Sequence, residues 1–168
     1  TRHGHNAVAM QRKKLPIGIQ TLREIRQDDC YYVDKTPLAL QLVQQGKYFF
    51  LSRPRRFGKS LFLDTLKELF EGNAALFKGL YAERHWNWSV KYPVLRFSFG
   101  GGVLGSVEDL QQSLHAQLAR HEESCGLPQK YPDARNRFIE LIQHLATTTG
   151  QRVVVLVDEY DKPILDRI

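Results

Sequence analysis

The sequence predicts an α/β fold in which a mostly parallel sheet is covered by helices. Two observations carry this expectation. Short apolar runs with strand propensity alternate with amphipathic stretches of helical period, the order that produces parallel strands joined by crossovers. The last of these runs, Val153-Val154-Val155-Leu156-Val157, is uninterrupted and rich in β-branched residues. Such a run is expected of a strand buried on both faces.

The elements follow in order. Thr36 with Pro37 reads as a hydroxyl cap followed by proline at the first helical position, and Gly46 as the stop of that helix. Tyr48-Phe49-Phe50-Leu51 reads as a short strand and Ser52 to Gly58 as a loop. Lys59 to Glu71 reads as a helix, because Phe62, Leu63, Leu66, Leu69 and Phe70 recur at helical spacing before Gly72. Asn73 to Tyr92 has no regular period and is rich in aromatics, with Trp86 and Trp88 expected to cover the sheet. Val94 to Phe99 alternates as a strand, and Gly100, Gly101 and Gly102 form a turn after it. Ser106, with Asp109 as capping-box partner, opens a helix with Leu110, Leu114 and Leu118 as its apolar stripe. Asp133 caps another, carrying Phe138, Ile139, Leu141, Ile142 and Leu145 and closed by Gly150.

Composition sets bounds on function. The chain has 168 residues, 42% hydrophobic and 25% charged, which suits one globular domain. No apolar run approaches the roughly 20 residues of a membrane-spanning helix, and no signal peptide is evident. Residues 1–14 read as a disordered leader and 15–168 as the domain; Met10 could be a natural start. Cys30 and Cys125 are neither a disulfide framework nor in metal-ligand spacing, so the cytoplasm is the expected compartment. The net charge of +6 favours anionic partners, nucleotides or nucleic acid. His85, His115, His121 and His144 lack paired metal spacing and are expected to have structural or surface roles.

The main chemical signal is Phe57-Gly58-Lys59-Ser60 between an expected strand and an expected helix. Phosphates need several backbone N–H groups aimed at one spot, and a loop entering a helix N-terminus supplies them. Gly58 lets the backbone come close; Arg55, Arg56, Phe57 and Leu61 complete the cradle. Lys59 would reach the β- and γ-phosphates of ATP, and Ser60 would ligate Mg²⁺. The full pattern would have glycine at position 53, where this chain has Arg53 followed by Pro54. Arg55 and Arg56 could instead touch a neighbouring element or be solvated loop arginines.

The second signal is Asp158-Glu159, directly after Val157. Acids there lie at the C-terminal edge of a parallel sheet, where α/β folds bind ligands. Asp158 would hold Mg²⁺, and Glu159, a catalytic residue with Lys59, would orient and deprotonate the attacking water. Asp161 is a weaker candidate. Together the two motifs predict a P-loop NTPase, a three-layer αβα domain of which this chain carries the front part. They require the amides around Gly58 and the carboxylate beyond Val157 to face one pocket.

Tyr31-Tyr32-Val33-Asp34-Lys35-Thr36, Ser52-Arg53-Pro54-Arg55-Arg56-Phe57-Gly58-Lys59-Ser60-Leu61 and Val157-Asp158-Glu159-Tyr160-Asp161-Lys162-Pro163 resemble the predicted AAA-ATPase-like family of bacteria and archaea. The resemblance runs from about Leu15 to Ile168, and the Arg-Pro-Arg-Arg-Phe form of the loop is usual in that family. It implies an ATPase core, often fused to a C-terminal PD-(D/E)XK nuclease-like effector domain. It also suggests Tyr32, Val33, Asp34 and Lys35 as base or ribose contacts, although Asp34 and Thr36 could simply cap the next helix and the tyrosines fill the core. In P-loop ATPases of this branch the central strand, sensor residue and lid follow the acidic motif. The 168-residue chain alone is therefore expected to turn ATP over poorly, and a rate near about 1 s⁻¹ would overturn this. Alternatives are a nucleotide-binding fragment without turnover and a nucleic-acid-binding module. A homo-oligomer is possible on this reading.

Overall fold

A computed structural model describes residues 12–45, 58–99 and 105–158. Helix α1 spans Leu22–Gln27, α2 Thr36–Gln45, α3 Lys59–Phe70, α4 Tyr81–His85, α5 Val107–Cys125 and α6 Ala134–Thr149. Strand β1 is Val94–Ser98 and β2 is Val154–Asp158. The expected strand Tyr48–Leu51, the loop residues Arg53 to Phe57, the turn Gly100 to Gly102, and Glu159 with Asp161 lie outside the described residues.

β1 and β2 pair in parallel, with Val94 opposite Val154 and Ser98 opposite Asp158. The connection between them contains α5 and α6, as a parallel crossover demands. The alternation of β1 sends Leu95 and Phe97 to one face, where they pack with Leu118 of α5 and Leu141 of α6. The other face, with Leu156 and flanking Val94 and Val154, packs against Phe62, Leu63, Leu66 and Leu69 of α3. Leu69, Phe77, Leu118 and Leu141 are fully buried, each contributing about 1.5–3 kcal/mol.

The expectation that β2 is buried on both faces needs correction. Leu156 and Asp158 are buried, but Val155 and Val157 are 37% and 38% exposed. Those valines share the side of Leu95 and Phe97. Among the described residues, the cluster that α5 and α6 build is centred on β1 and does not extend across β2.

Capping chemistry explains the helix boundaries. The Ser106 hydroxyl accepts from Asp109 N–H at 3.1 Å and the Asp133 carboxylate from Asn136 N–H at 3.0 Å, while Gly126 and Gly150 close α5 and α6. Ile139 on α6 is 42% exposed, so it is not part of the apolar stripe expected of it. The stretch after α3, expected to be irregular, holds a 3-10 turn at Ala74–Phe77 and the short α4. Trp86 meets Phe70 edge-on at 5.5 Å and Trp88 lies 5.1 Å from Phe77, so both cover the core around α3. Helix α1 was not expected, yet Thr21 accepts from Glu24 N–H in an ordinary N-cap. Upstream of it, Lys14 bridges to Cys30.

Candidate functional site

The site is built where the first turn of α3 meets the last residue of β2. Gly58 is the N-cap of α3 at φ 74°, a left-handed conformation that glycine adopts without strain. It offers no side chain to cap the helix, and the first turn of α3 contains no acid. The positive end of the helix is thus left without a carboxylate from its own first turn, a setting that favours an anion. Lys59 and Ser60 follow, both half-buried, and Leu61 turns partly onto the core.

Ser60 Oγ donates to Asp158 Oδ2 at 2.7 Å, across 98 residues of sequence. The hydroxyl and the carboxylate expected to share a metal are therefore brought together. Asp158 is 4% exposed, and its second oxygen, Oδ1, has no hydrogen-bond partner among the described residues. A buried carboxylate oxygen without a donor is costly, and such a group points to an ion or water that completes it. Two hard oxygen donors, one carboxylate and one hydroxyl, suit Mg²⁺. The residues present therefore fit the implied cation.

Sequence reasoning missed two residues beside this pair. Arg96, in the middle of β1, reaches Asp64 Oδ1 at 3.3 Å and the carbonyl of Ser60 at 3.3 Å. Its Nη2 also lies 3.9 Å from Asp158 Oδ2. Asp64 is buried, and its other oxygen accepts the N–H of Leu22 at 2.8 Å. A signal was available: Asp64 stands four positions after Ser60 on a helix, hence on the same face.

The residues proposed for base or ribose contact separate. Lys35 comes to Gly58: a Cβ built on that glycine would lie 3.4 Å from Lys35 Nζ. Tyr32 packs against the α3 core, its hydroxyl 3.4 Å from Thr65 Oγ1, and burial raises its pKa above the usual phenol value. Tyr31 and Val33 are exposed. Asp34 is committed to backbone: Oδ1 accepts from Thr36 N–H at 2.9 Å and Oδ2 from Tyr81 N–H at 2.8 Å. Thr36 does not cap its helix with its own hydroxyl. That group donates to Asp34 at 2.7 Å and accepts from Ala82 N–H at 3.0 Å, tying α2 to α4.

Partial burial opposes ionisation of Asp34, but bonds from the Thr36 hydroxyl and the Tyr81 and Thr36 N–H groups outweigh it and hold the carboxyl below its usual value. Its stabilisation is present above the ordinary carboxylate value of about 3.9 and is lost as pH falls through the lowered folded value. Asp34→Ala is expected to cost about 1–2 kcal/mol of stability and to leave nucleotide affinity unchanged. Thermal melts with ATP titration check both, and weakened binding at unchanged stability would return Asp34 to the ribose.

Each described histidine of interest has a protein partner. His121 donates to the Arg96 carbonyl at 2.8 Å, His115 accepts from Arg137 at 2.7 Å, His144 lies 3.4 Å from the Cys125 carbonyl, and His85 stacks on Tyr81. No helix among the described residues is long and apolar enough to cross a membrane.

No solved structure matches the chain. It is similar to an uncharacterized protein encoded in the vnfD 5′ region of Azotobacter chroococcum mcd 1, with 58% identity over 160 residues. That alignment covers 95% of this chain and 31% of the relative, so the chain spans about a third of that protein's length. A family model described as predicted AAA-ATPase matches residues 16–168. The chain belongs to the predicted AAA-ATPase family.

Proposed function

We propose that this chain is the ATP-binding core of a P-loop ATPase, which in a longer protein hydrolyses ATP with Mg²⁺ and drives or switches an attached effector. The observation that carries the reading is the 2.7 Å contact between Ser60 and Asp158, with Asp158 Oδ1 buried beside it and without a partner among the described residues. Family membership supports nucleotide binding independently.

Each residue has a distinct task in this reading. The first turn of α3, entered through Gly58, presents backbone N–H groups to the phosphates. Lys59 neutralises the β- and γ-phosphates, with Arg55 and Arg56 contributing from the loop and Lys35 from the preceding segment. Ser60 and Asp158 would hold Mg²⁺, which supplies charge neutralisation at the transferred phosphoryl group. Glu159, next in the chain, is assigned the attacking water: it accepts the proton and holds the nucleophile in line.

Calorimetric titration with ATP tests the proposal. Binding is expected to be strengthened by Mg²⁺ and to weaken on chelation, whereas affinity indifferent to Mg²⁺ would refute the assignment of Ser60 and Asp158. In a protein of the relative's full length, Glu159→Gln is expected to retain ATP and stop hydrolysis.

A further inference from the structure

We infer that Arg96 is a positioning residue that sets the distance between Ser60 and Asp158 for the metal, an inference that rests on the proposed ATP site. The argument begins with what its guanidinium touches. Nη1 pairs with Asp64 Oδ1 at 3.3 Å, and Nη2 donates to the Ser60 carbonyl at 3.3 Å. Both acceptors belong to α3, while Arg96 itself belongs to β1. The side chain therefore fastens the first turn of the helix to the strand that lies alongside β2.

The anchor is held at its other points as well. Asp64 is kept in place by the Leu22 N–H, and the Arg96 carbonyl by His121 of α5. A flexible side chain fixed at both ends loses its entropy in folding rather than in ligand binding. Arginine suits this role because its planar fork offers two donors in a set geometry; lysine offers one charged point and cannot hold both acceptors in the same way.

The remaining contact is informative because it is long. Nη2 lies 3.9 Å from Asp158 Oδ2, too far for a hydrogen bond. Arg96 thus lends Asp158 positive charge without occupying its oxygens. It grips Ser60 from behind, by the carbonyl, and leaves the hydroxyl free to face Asp158. Guanidinium, hydroxyl and carboxylate are arranged so that the metal-facing atoms are fixed but not consumed.

The test compares how much Mg²⁺ strengthens ATP binding in the wild type, Arg96→Gln and Arg96→Lys. A neutral glutamine removes the grip on α3. The strengthening by Mg²⁺ is expected to fall about tenfold or more, the usual effect of removing support behind a metal ligand. Arg96→Lys keeps the charge and the Asp64 pair. It is expected to fold with wild-type stability and to lose an intermediate part of the effect, which carries the test if Arg96→Gln does not fold. A wild type that responds to Mg²⁺ alongside variants that respond equally would overturn the role of Arg96 alone. A wild type that shows no Mg²⁺ response would overturn the ATP site and this inference together.

Discussion

Asp158→Asn is expected to remove the Mg²⁺ dependence of ATP binding, a loss of about 100-fold in the affinity gained from the metal, while stability stays within about 1 kcal/mol of the wild type or rises. The two halves of this expectation have one cause. Asp158 is almost fully buried, and one of its carboxylate oxygens has no partner among the described residues. Such an atom contributes nothing to the fold by itself, and an amide of the same shape removes a buried charge. The Ser60 hydroxyl, which now donates to Asp158, can still pair with the amide oxygen. A residue kept for packing would show the opposite pattern, with stability lost and binding preserved. Calorimetry with and without Mg²⁺, paired with thermal melts, reads both quantities. Lys59→Ala in the same experiment is expected to weaken ATP binding whether or not Mg²⁺ is present, because it acts on phosphate rather than on metal.

Arg137→Ala should produce the largest change in stability, about 3–5 kcal/mol, without touching the proposed nucleotide site. Arg137 and Glu122 are 3% and 4% exposed and form an ion pair between α6 and α5. The guanidinium donates through Nε to Glu122 Oε1 at 3.0 Å and through Nη1 to His115 Nδ1 at 2.7 Å. Truncation leaves the Glu122 carboxylate in the interior with its charge uncompensated. Replacing Arg137 by methionine together with Glu122 by leucine should recover most of the loss, since the cost lies in the orphaned charge. Urea unfolding measures each variant, and a single-substitution effect under about 1 kcal/mol would show that water reaches Glu122.

Where the sequence carried strong local signals, they led to the right structure. The apolar run before Asp158 announced a strand ending in an acid, and Gly58-Lys59-Ser60 announced the start of a helix. Parallel pairing then followed from the intervening helices. Ser106 and Asp133 marked their helices because an N-cap is a local device, readable within four residues. The same logic was available at Thr21 and Glu24, where the expectation passed over α1.

What stayed illegible depends on contacts between distant segments. Arg96 occupies a polar position in an alternating strand, which reads as a solvent-facing site; only the approach of α3 reveals that it meets Asp64. The resemblance suggested Asp34 as a ligand contact; its bond to Thr36 was open as a local helix cap, whereas its Tyr81 partner lies 47 residues away. The exposure of Val155 and Val157 was equally hidden, because apolar composition does not report how far α5 and α6 reach across the sheet. At the site itself, the Gly58–Ser60 end and the acidic end were anticipated as a pair, whereas the braces around them were not.

The pair Ser60 and Asp158 is separated by 98 residues, and Leu22 and Asp64 by 42. With Arg96 of β1 bonded to both Ser60 and Asp64 of α3, four remote stretches (α1, α3, β1 and β2) converge on one small volume. A ligand seated there would recognise only molecules in which all four have docked, so its binding energy would be added to the closed form and withheld from every partly opened one. Amide hydrogens in α1, β1 and β2 should then slow their exchange together when MgATP is added, turning separate local openings into a single cooperative event.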